Sequence, residues 1–268
     1  HPHLRLMTGK TPFFASTLDQ RFSFNLYVPK SHTFSPSSSS EQSDLLIIIH
    51  GTRRQTSTYH NKLKSFCDTH NVVLMTPLFP AGIEDPEDLN NYKNLVYKGI
   101  RFDLILLSMI EQVGNVWKGV RTDQVYMHGF SGGGQFVHRF MYLYPERLRG
   151  VSIGAPGRVT LPDARYTWPG GLGNVGEVFR GRENAPDYES IRKIPMQLVV
   201  GEEDRGTELL KLAKKKLNEV EEEGGDRVER LGMLKEALLG LEGGGVERVE
   251  MRIVPGVGHD GIGCLEPV

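Results

Sequence analysis

A single serine stands among glycines in the stretch Gly129-Phe130-Ser131-Gly132-Gly133, which fits the pattern G-x-S-x-G. An apolar, strand-like segment precedes the pattern and an amphipathic, helix-like segment follows it, which is the context that gives the pattern chemical meaning. On such a strand-to-helix turn the serine hydroxyl is exposed, and the positions two before and two after it must be small because their side chains would collide. The stretch therefore predicts a nucleophilic serine on a sharp turn.

Two other glycine-rich motifs do not fit this stretch. A Walker A loop needs Gly-Lys-Ser or Gly-Lys-Thr, which is absent here. A dinucleotide-binding loop needs G-x-G-x-x-G, and the stretch does not place its glycines at that spacing. A plain glycine-rich turn remains the alternative to a nucleophilic serine.

A nucleophilic serine needs two further residues. Its hydroxyl is weakly reactive at neutral pH and requires a base, which a carboxylate in turn orients. The expected chain order is serine, acid, histidine, and His259 follows the last strand-like segment, in "VPGVGHDG". The acid is expected in "GEED", where we predict Asp204 because it lies beyond the strand end and its side chain can turn toward the serine. Glu203 is the first alternative and Glu202 the second.

The other histidines occupy positions that packing or exposure explains. His128 lies inside a strand-like segment and His138 on the helix after the serine, so we interpret both as structural. Several more are predicted to lie on the surface: His1, His3, His32, His60 and His70.

A developing oxyanion requires two N–H donors, and the loop after the first buried strand is expected to supply one of them. In "IIIHGTRRQ", His50 and Gly51 mark the end of that strand. We predict that the backbone N–H groups of Gly132 and Thr52 form the oxyanion hole, with Arg53 as the alternative to Thr52. The alternative interpretation is that Gly51 only ends the strand and that the loop does not form an oxyanion hole.

Short apolar runs alternate with helical patterns along the chain, which predicts an α/β fold with a mostly parallel central sheet flanked by helices. These runs lack polar alternation, as expected for strands buried on both faces. The strand-like segments are "DLLIIIHG", "NVVLMTP", "QVYMHGF", "GVSIGAP", "MQLVVGEED" and "VEMRIVPGVGHD". The earlier segment "FSFNLYVP" does alternate, which predicts an antiparallel edge hairpin.

Residues 157–193 interrupt this alternation and are rich in proline, glycine and aromatic residues. Their place after the strand that follows the serine predicts a lid-like excursion that selects the substrate. Trp168, Tyr166 and Phe179 are candidates for an apolar substrate pocket, although packing at the edge of the domain explains these aromatic residues equally well. Arg53 is a further candidate for substrate binding.

Residues 207–245 form a second interruption, are strongly charged, and predict a helical hairpin inserted into the domain. Leu209, Leu212 and Leu217 mark one face, which packs on the body of the protein or forms a homodimer contact. Neither interruption carries an apolar core of its own, so residues 1–268 are predicted to form one domain.

Composition excludes several classes of function. A formal net charge of −1 argues against electrostatic binding to nucleic acid or anionic membranes. No apolar run approaches the ~20 residues that span a bilayer, so integral membrane association is not expected. The first residues show no signal-peptide pattern, which predicts a cytoplasmic protein. Cys67 and Cys264 are expected to be free thiols rather than a disulfide framework.

Taken together, "HG", "GFSGG", "GEED" and "GHDG" resemble the α/β-hydrolase superfamily over nearly the whole chain. Longer stretches, such as "PLFPAGIEDPEDLNNYKNLVYKGIRFD", are similar to an esterase-like microbial branch, part of which belongs to natural-product pathways. The resemblance implies a serine hydrolase that uses Ser131, Asp204 and His259 without a metal or an organic cofactor. One departure is the 55 residues between Asp204 and His259, which is longer than usual in the family.

The reaction that this resemblance implies is hydrolysis of a carboxylic ester of a small apolar substrate through an acyl-enzyme on Ser131. Thioesterases, lactonases, C–C hydrolases and acyl-transfer cyclases use the same residues and remain alternatives. A protein that binds a small ligand on the same fold without catalysis is the alternative from a different class.

Overall fold

Strands and helices alternate along the chain, and the fold is α/β with a mostly parallel central sheet flanked by helices, as predicted. The structure is a computed structural model that describes residues 7–206, 225–241 and 243–265. The chain divides into two compact units, residues 1–128 and 129–268. A single domain over residues 1–268 stays a prediction.

The first unit contains a sheet whose strand order is β1-β3-β5-β4-β8, with β2 beside β3, and a separate ribbon of β6 and β7. Strands β4 and β5 run parallel, with Asp44 opposite Val72. The strands are β1 (Gly9–Lys10), β2 (Phe14–Ala15), β3 (Ser23–Val28), β4 (Ser43–Ile49), β5 (Val72–Leu78), β6 (Val96–Tyr97), β7 (Ile100–Arg101) and β8 (Val120–Phe130), the last of which continues into the second unit.

Strand β3 corrects the prediction of an edge hairpin at "FSFNLYVP". It is antiparallel, as predicted, but it pairs with β5 as well as with β1 and β2, so it is not at the edge. Two of the alternating residues of β3, Asn25 and Tyr27, are buried, and each has a hydrogen-bond partner. The Thr76 hydroxyl donates to Asn25 Oδ1, and the Tyr27 hydroxyl donates to Asp68 Oδ2 at 2.9 Å. The alternation of polar and apolar residues therefore predicted an exposed face on β3, whereas in the structure Asn25 and Tyr27 are buried and hydrogen-bonded.

Helices α1 (Thr56–His70) and α2 (Phe102–Val116) belong to the first unit. Helix α1 packs on β5 and ends at Asn71, which adopts the left-handed conformation common at helix ends. Six apolar residues of α2 recur at helical spacing and form its buried face, as an amphipathic helix requires. The buried apolar residues are Phe102, Ile105, Leu106, Met109, Ile110 and Val113.

Two histidines that we predicted on the surface are buried. His60 is 2% exposed, and its Nε2 lies 2.9 Å from the Thr76 hydroxyl oxygen. His32 is 7% exposed and lies 2.8 Å from the Ser43 hydroxyl through Nδ1. The prediction was wrong because a histidine with a hydrogen-bond partner can be buried in its neutral form.

The second unit contains the parallel strand order β9-β10-β11. Helix α3 packs on β9, and helix α6 packs on β10 and β11. The elements are α3 (Gly132–Leu143), β9 (Leu148–Gly154), α4 (Val175–Val178), α5 (Tyr188–Lys193), β10 (Met196–Gly201), α6 (Arg227–Leu239) and β11 (Val249–Val254).

Helix α6 lies within residues 207–245, for which we predicted a helical hairpin. Asp226 caps its first turn by accepting the Glu229 N–H at 2.9 Å, and the Glu229 carboxylate accepts the Asp226 N–H in return. This capping box satisfies two N–H groups that the helix leaves without partners. The face predicted from Leu209, Leu212 and Leu217 lies outside the described residues.

Within the described ranges, no helix is both long enough and apolar enough to cross a bilayer. The same ranges contain no group of three or more His, Cys, Asp or Glu side chains placed to hold a metal ion. Cys67 and Cys264 are unpaired and buried.

Because α6 packs on the sheet, alanine substitutions at two neighbouring leucines should differ in their effect on stability. Leu238 is fully buried, whereas Leu239 is 42% exposed. Replacing Leu238 with alanine should lower the free energy of unfolding by about 2–5 kcal/mol, because the substitution leaves a cavity. Leu239→Ala, with the same change in helix propensity, should cost less than about 0.5 kcal/mol. Urea unfolding of both variants measures the difference, and equal losses would contradict the packing of α6 described above.

Candidate active site

Ser131 occupies the sharp turn between β8 and α3, as the sequence pattern predicted. Its backbone has φ 58° and ψ −112°, a strained conformation for a residue with a side chain. Two hydrogen bonds hold the turn: the Ser131 N–H donates to the Gly154 carbonyl at 2.8 Å, and the Gln135 N–H donates to the Ser131 carbonyl at 3.1 Å. Hydrogen bonds to β9 and to α3 therefore stabilise the strained turn.

Gly129 shows why this turn requires small residues. A Cβ atom added at Gly129 would lie 2.3 Å from the carbonyl carbon and oxygen of Gly133. Real Cβ atoms do not approach other atoms so closely, so the two backbone segments can cross only at glycine.

Ser131, His259 and Asp204 form one hydrogen-bonded chain, although 128 and 55 residues separate the bonded pairs in sequence. His259 Nε2 lies 3.0 Å from Ser131 Oγ, and His259 Nδ1 lies 2.6 Å from Asp204 Oδ2. An ionised carboxylate only accepts hydrogen bonds, so the Nδ1 atom carries the proton and Nε2 is left to accept from the serine hydroxyl.

The structure distinguishes among the three acidic residues of the loop after β10. Asp204 is 2% exposed and contacts His259, whereas Glu202 and Glu203 are exposed. The Glu202 carboxylate instead accepts the N–H of Gly256 at 3.2 Å. The geometry therefore favours Asp204 over both alternatives.

The loops that carry the acid and the histidine are joined by their backbones. The N–H groups of Glu202 and Glu203 donate to the carbonyls of Val254 and Val257, each at 2.9 Å. A Cβ atom at Gly201 would lie 2.1 Å from the Val257 carbonyl oxygen, so only glycine permits this approach. The two loops are therefore held in a fixed relation.

Arg227 is a contact of this site that the sequence analysis missed. Its Nη1 atom donates to Asp204 Oδ1 at 2.8 Å, and the two side chains are 10% and 1% exposed. The residue lies in the charged segment, residues 207–245, that we predicted to form a helical hairpin. One signal was available: Arg227 follows the capping residue Asp226, and a cation at the first position of a helix opposes the helix dipole.

Phe130 is a second contact that the sequence analysis did not single out. Its ring centroid lies 5.0 Å from that of His259, and the side chain is 5% exposed. The pattern G-x-S-x-G places no demand on this position, so the sequence offers no signal for the contact.

The predicted oxyanion donors lie on different units. Gly132 is the first residue of α3, so its N–H group is outside the helical hydrogen-bond ladder and lies at the positive end of the helix dipole. Thr52 lies on the turn after β4, and its carbonyl accepts from Arg54 Nη1 at 2.6 Å. Arg53, the alternative donor and a candidate for substrate binding, is exposed on the same turn. Their assignment stays a prediction.

The segment at residues 157–193, which we predicted to be a lid-like excursion, is hydrogen-bonded to α3 at Thr160. Its N–H donates to His138 Nε2 at 2.9 Å, and its carbonyl accepts from the Tyr142 hydroxyl at 3.0 Å. Its hydroxyl oxygen accepts from Arg139 Nε at 2.8 Å. Three residues of the helix behind Ser131 therefore hold this point of the excursion.

The aromatic candidates for the substrate pocket differ in exposure. Phe179 is fully buried and packs against Trp168 with ring centroids 4.8 Å apart, which fits the alternative interpretation of edge packing. Trp168 and Tyr166 are half-buried. Contact of any of these residues with a substrate stays a prediction.

The crossing at Gly129 predicts that alanine is not tolerated there. Gly129→Ala should lower the free energy of unfolding by about 1–3 kcal/mol, because the added methyl group meets the backbone of Gly133. A matched control is Gly232→Ala on α6, where a Cβ atom would contact nothing within 4 Å. That substitution should stabilise the helix by about 0.5–1 kcal/mol. Urea unfolding measures both, and a neutral Gly129→Ala would contradict the crossing.

Because His138 is buried, we expect the protein to lose stability as the pH falls. Burial lowers the pKa of His138 from 6.5 to about 3, so below pH 6.5 the unfolded chain binds a proton that the folded protein does not. The free energy of unfolding should therefore fall by about 1.4 kcal/mol per pH unit between these values. Urea unfolding of the wild type and His138→Gln at pH 7 and pH 5 tests this. The wild type should lose about 2 kcal/mol more than the variant, and parallel losses would contradict a neutral buried His138.

No protein-family model matches the chain, and no curated protein matches it in sequence. Solved structures match over most of its length. Poly(aspartic acid) hydrolase-1 from Sphingomonas sp. KT-1 is 20% identical with a TM-score of 0.75, and the match covers 97% of both chains. A poly(3-hydroxybutyrate) depolymerase from Bordetella parapertussis is 24% identical with a TM-score of 0.72, covering 97% of this chain and 88% of that one. An S-formylglutathione hydrolase from Agrobacterium tumefaciens is 15% identical with a TM-score of 0.56, covering 89% and 83%. The chain has the α/β-hydrolase fold.

Proposed function

We propose that this protein is a serine hydrolase that cleaves a carboxylic ester of a small apolar substrate through an acyl-enzyme on Ser131. The observation that carries the proposal is the hydrogen-bonded chain from Ser131 through His259 to Asp204 at a strained strand-to-helix turn. The names of the similar structures, which include hydrolases and a polyester depolymerase, support hydrolysis in general.

Ser131, His259 and Asp204 each have a distinct role in the proposed reaction. Asp204 orients the imidazole of His259 through Nδ1, which leaves Nε2 free to act as the base. The His259 side chain is 37% exposed, whereas that of Asp204 is 1% exposed. A substrate can therefore reach the imidazole while the carboxylate stays out of water, where its interaction with the imidazolium is stronger.

The proposed reaction has two stages. The Ser131 oxygen attacks the ester carbonyl as its proton passes to His259 Nε2, and the carbonyl π electrons move to the oxygen. Collapse of the tetrahedral intermediate breaks the bond to the alcohol, which leaves with the proton from Nε2. Water then attacks the acyl-enzyme with His259 again as base, and the carboxylic acid and free Ser131 are released.

The negative oxygen of each tetrahedral intermediate needs hydrogen-bond donors. We propose the N–H groups of Gly132 and Thr52 for this task, with Arg53 as the alternative to Thr52. In such sites, loss of one donor costs roughly 3 kcal/mol of transition-state stabilisation. Trp168 and Tyr166, which are half-buried, are proposed as the apolar wall of the substrate pocket.

A fluorophosphonate probe tests for an activated serine without knowledge of the natural substrate. The wild type should gain one adduct in its intact mass, and Ser131→Ala should gain none. His259→Ala and Asp204→Asn should label at least about 100-fold more slowly, because the base is absent or wrongly oriented. Peptide mapping of the labelled wild type should place the adduct on Ser131.

A panel of p-nitrophenyl esters of increasing acyl length, with the matching thioesters, then assigns the bond that is cleaved. Turnover of the esters that Ser131→Ala abolishes would support the proposal. A folded wild type that neither labels nor turns over any member of the panel would contradict the enzymatic function and favour a ligand-binding protein.

A further inference from the structure

We infer that Arg227 is a positioning residue for the proposed reaction, which fixes the carboxylate of Asp204 and weakens its pull on the proton of His259. This inference rests on the proposed function, because it assigns a role within the same hydrogen-bonded chain. It also gives a reason for the long separation between Asp204 and His259: the inserted segment supplies a side chain to the site.

The contact is direct and largely withdrawn from water. Arg227 Nη1 donates to Asp204 Oδ1 at 2.8 Å, while Asp204 Oδ2 lies 2.6 Å from His259 Nδ1. The two oxygens of one carboxylate are thus held by two different groups, so the carboxylate cannot rotate without breaking a charged hydrogen bond. Its second oxygen holds the imidazole in the orientation that the reaction requires.

The position of Arg227 is not explained by the stability of its own helix. It is the first residue of α6, where acidic side chains are favoured and a cation opposes the helix dipole. Within the described residues, its Nε atom is buried without a hydrogen-bond partner, and its Nη1 atom makes a longer contact of 3.4 Å with the Gly206 carbonyl. The guanidinium group is therefore placed to suit the carboxylate of Asp204.

Two further arginines fix the start of α6 against the site. Arg205, beside Asp204, donates to the Asp226 carboxylate at 2.8 Å. Arg230 donates to the Asp226 carbonyl at 3.0 Å and to the carbonyl of Gly157, where the excursion begins. These contacts hold the first turn of α6, and with it Arg227, in a fixed place beside the acid loop.

The electrostatic consequence has a defined sign. A cation beside Asp204 offsets part of the negative potential that the carboxylate produces at the imidazole. Without that cation, His259 should bind a proton more readily, and the base would be lost at a higher pH.

Other groups near the pair stay unchanged in every variant proposed below, apart from the control. The Cys264 thiol contributes no charge near neutral pH, because burial and nearby Asp260 raise its pKa to about 11. The charged neighbours on the acid loop, on the loop after His259 and at the start of α6 are Glu202, Glu203, Arg205, Asp260, Asp226, Glu229 and Arg230.

The test compares Arg227→Gln, Arg227→Lys and the control Arg205→Gln. Arg205 belongs to the same junction, but its carboxylate partner is Asp226 rather than Asp204. The rate constant for fluorophosphonate labelling is measured from pH 5 to pH 9 for each protein, with a thermal melt to verify folding. Proton NMR follows the low-field resonance of the His259 Nδ1 proton over the same range, which reports protonation without turnover.

In Arg227→Gln we expect the acidic limb of the labelling profile to move to higher pH by about half a unit or more. The plateau rate should fall about tenfold, because the carboxylate is no longer held at both oxygens. Arg227→Lys should restore the acidic limb, since it keeps the charge, but label about threefold more slowly, since it lacks the planar fork of arginine. Arg205→Gln should keep the acidic limb of the wild type, because its carboxylate partner is Asp226, and it should lower the plateau less than Arg227→Gln does.

The inference would be overturned if Arg227→Gln folds and matches the wild type in three respects: the acidic limb of the labelling profile, its plateau rate and the NMR titration. The proposed function would then still stand. If Arg227→Gln does not fold, Arg227→Lys decides: a wild-type plateau overturns the inference, and a lowered one supports it. A wild type that does not label would overturn the proposed function. The NMR titration would then still show whether Arg227 controls protonation of His259.

Discussion

A carboxylate that is almost withdrawn from water is stable only where cations or hydrogen-bond donors surround it. Asp204 is such a group, and the partners of its carboxylate come from two places: the loop of His259 and the first turn of α6. Much of the second unit can be understood as the support for this carboxylate. The backbone bonds between the two loops and the arginines at the start of α6 keep its partners within hydrogen-bond distance.

The parallel pairing of β10 and β11 brings the acid and the base together. Gly201 lies opposite Val254 at the ends of the two strands, so the loops that follow leave the sheet at the same edge. Ser131 is positioned differently, by the strained turn after β8. This turn is held to β9 by the hydrogen bond from the Ser131 N–H to the carbonyl of Gly154. Three loops that are distant in sequence thus meet because strand order and direction bring them to one place.

Much of this arrangement could be read from local patterns. The glycines around Ser131 mark a turn that only small residues permit, and the apolar runs before "HG", "GFSGG" and "GEED" lie in strands β4, β8 and β10. Patterns were less informative where burial depends on partners. Asn25 and Tyr27 in β3, and the histidines at 32 and 60, are polar residues that hydrogen bonds allow to be buried.

The sequence by itself determined the α/β alternation and the turn at Ser131, because these follow from side-chain size and from short-range spacing. Only the tertiary structure decided which acidic residue of "GEED" meets His259, since that depends on how the loop after β10 packs against the loop after β11. The same holds for Arg227, whose contact with Asp204 requires the first turn of α6 to dock beside the acid loop. Contacts between residues distant in the chain depend on the packing of whole elements, which local sequence patterns do not encode.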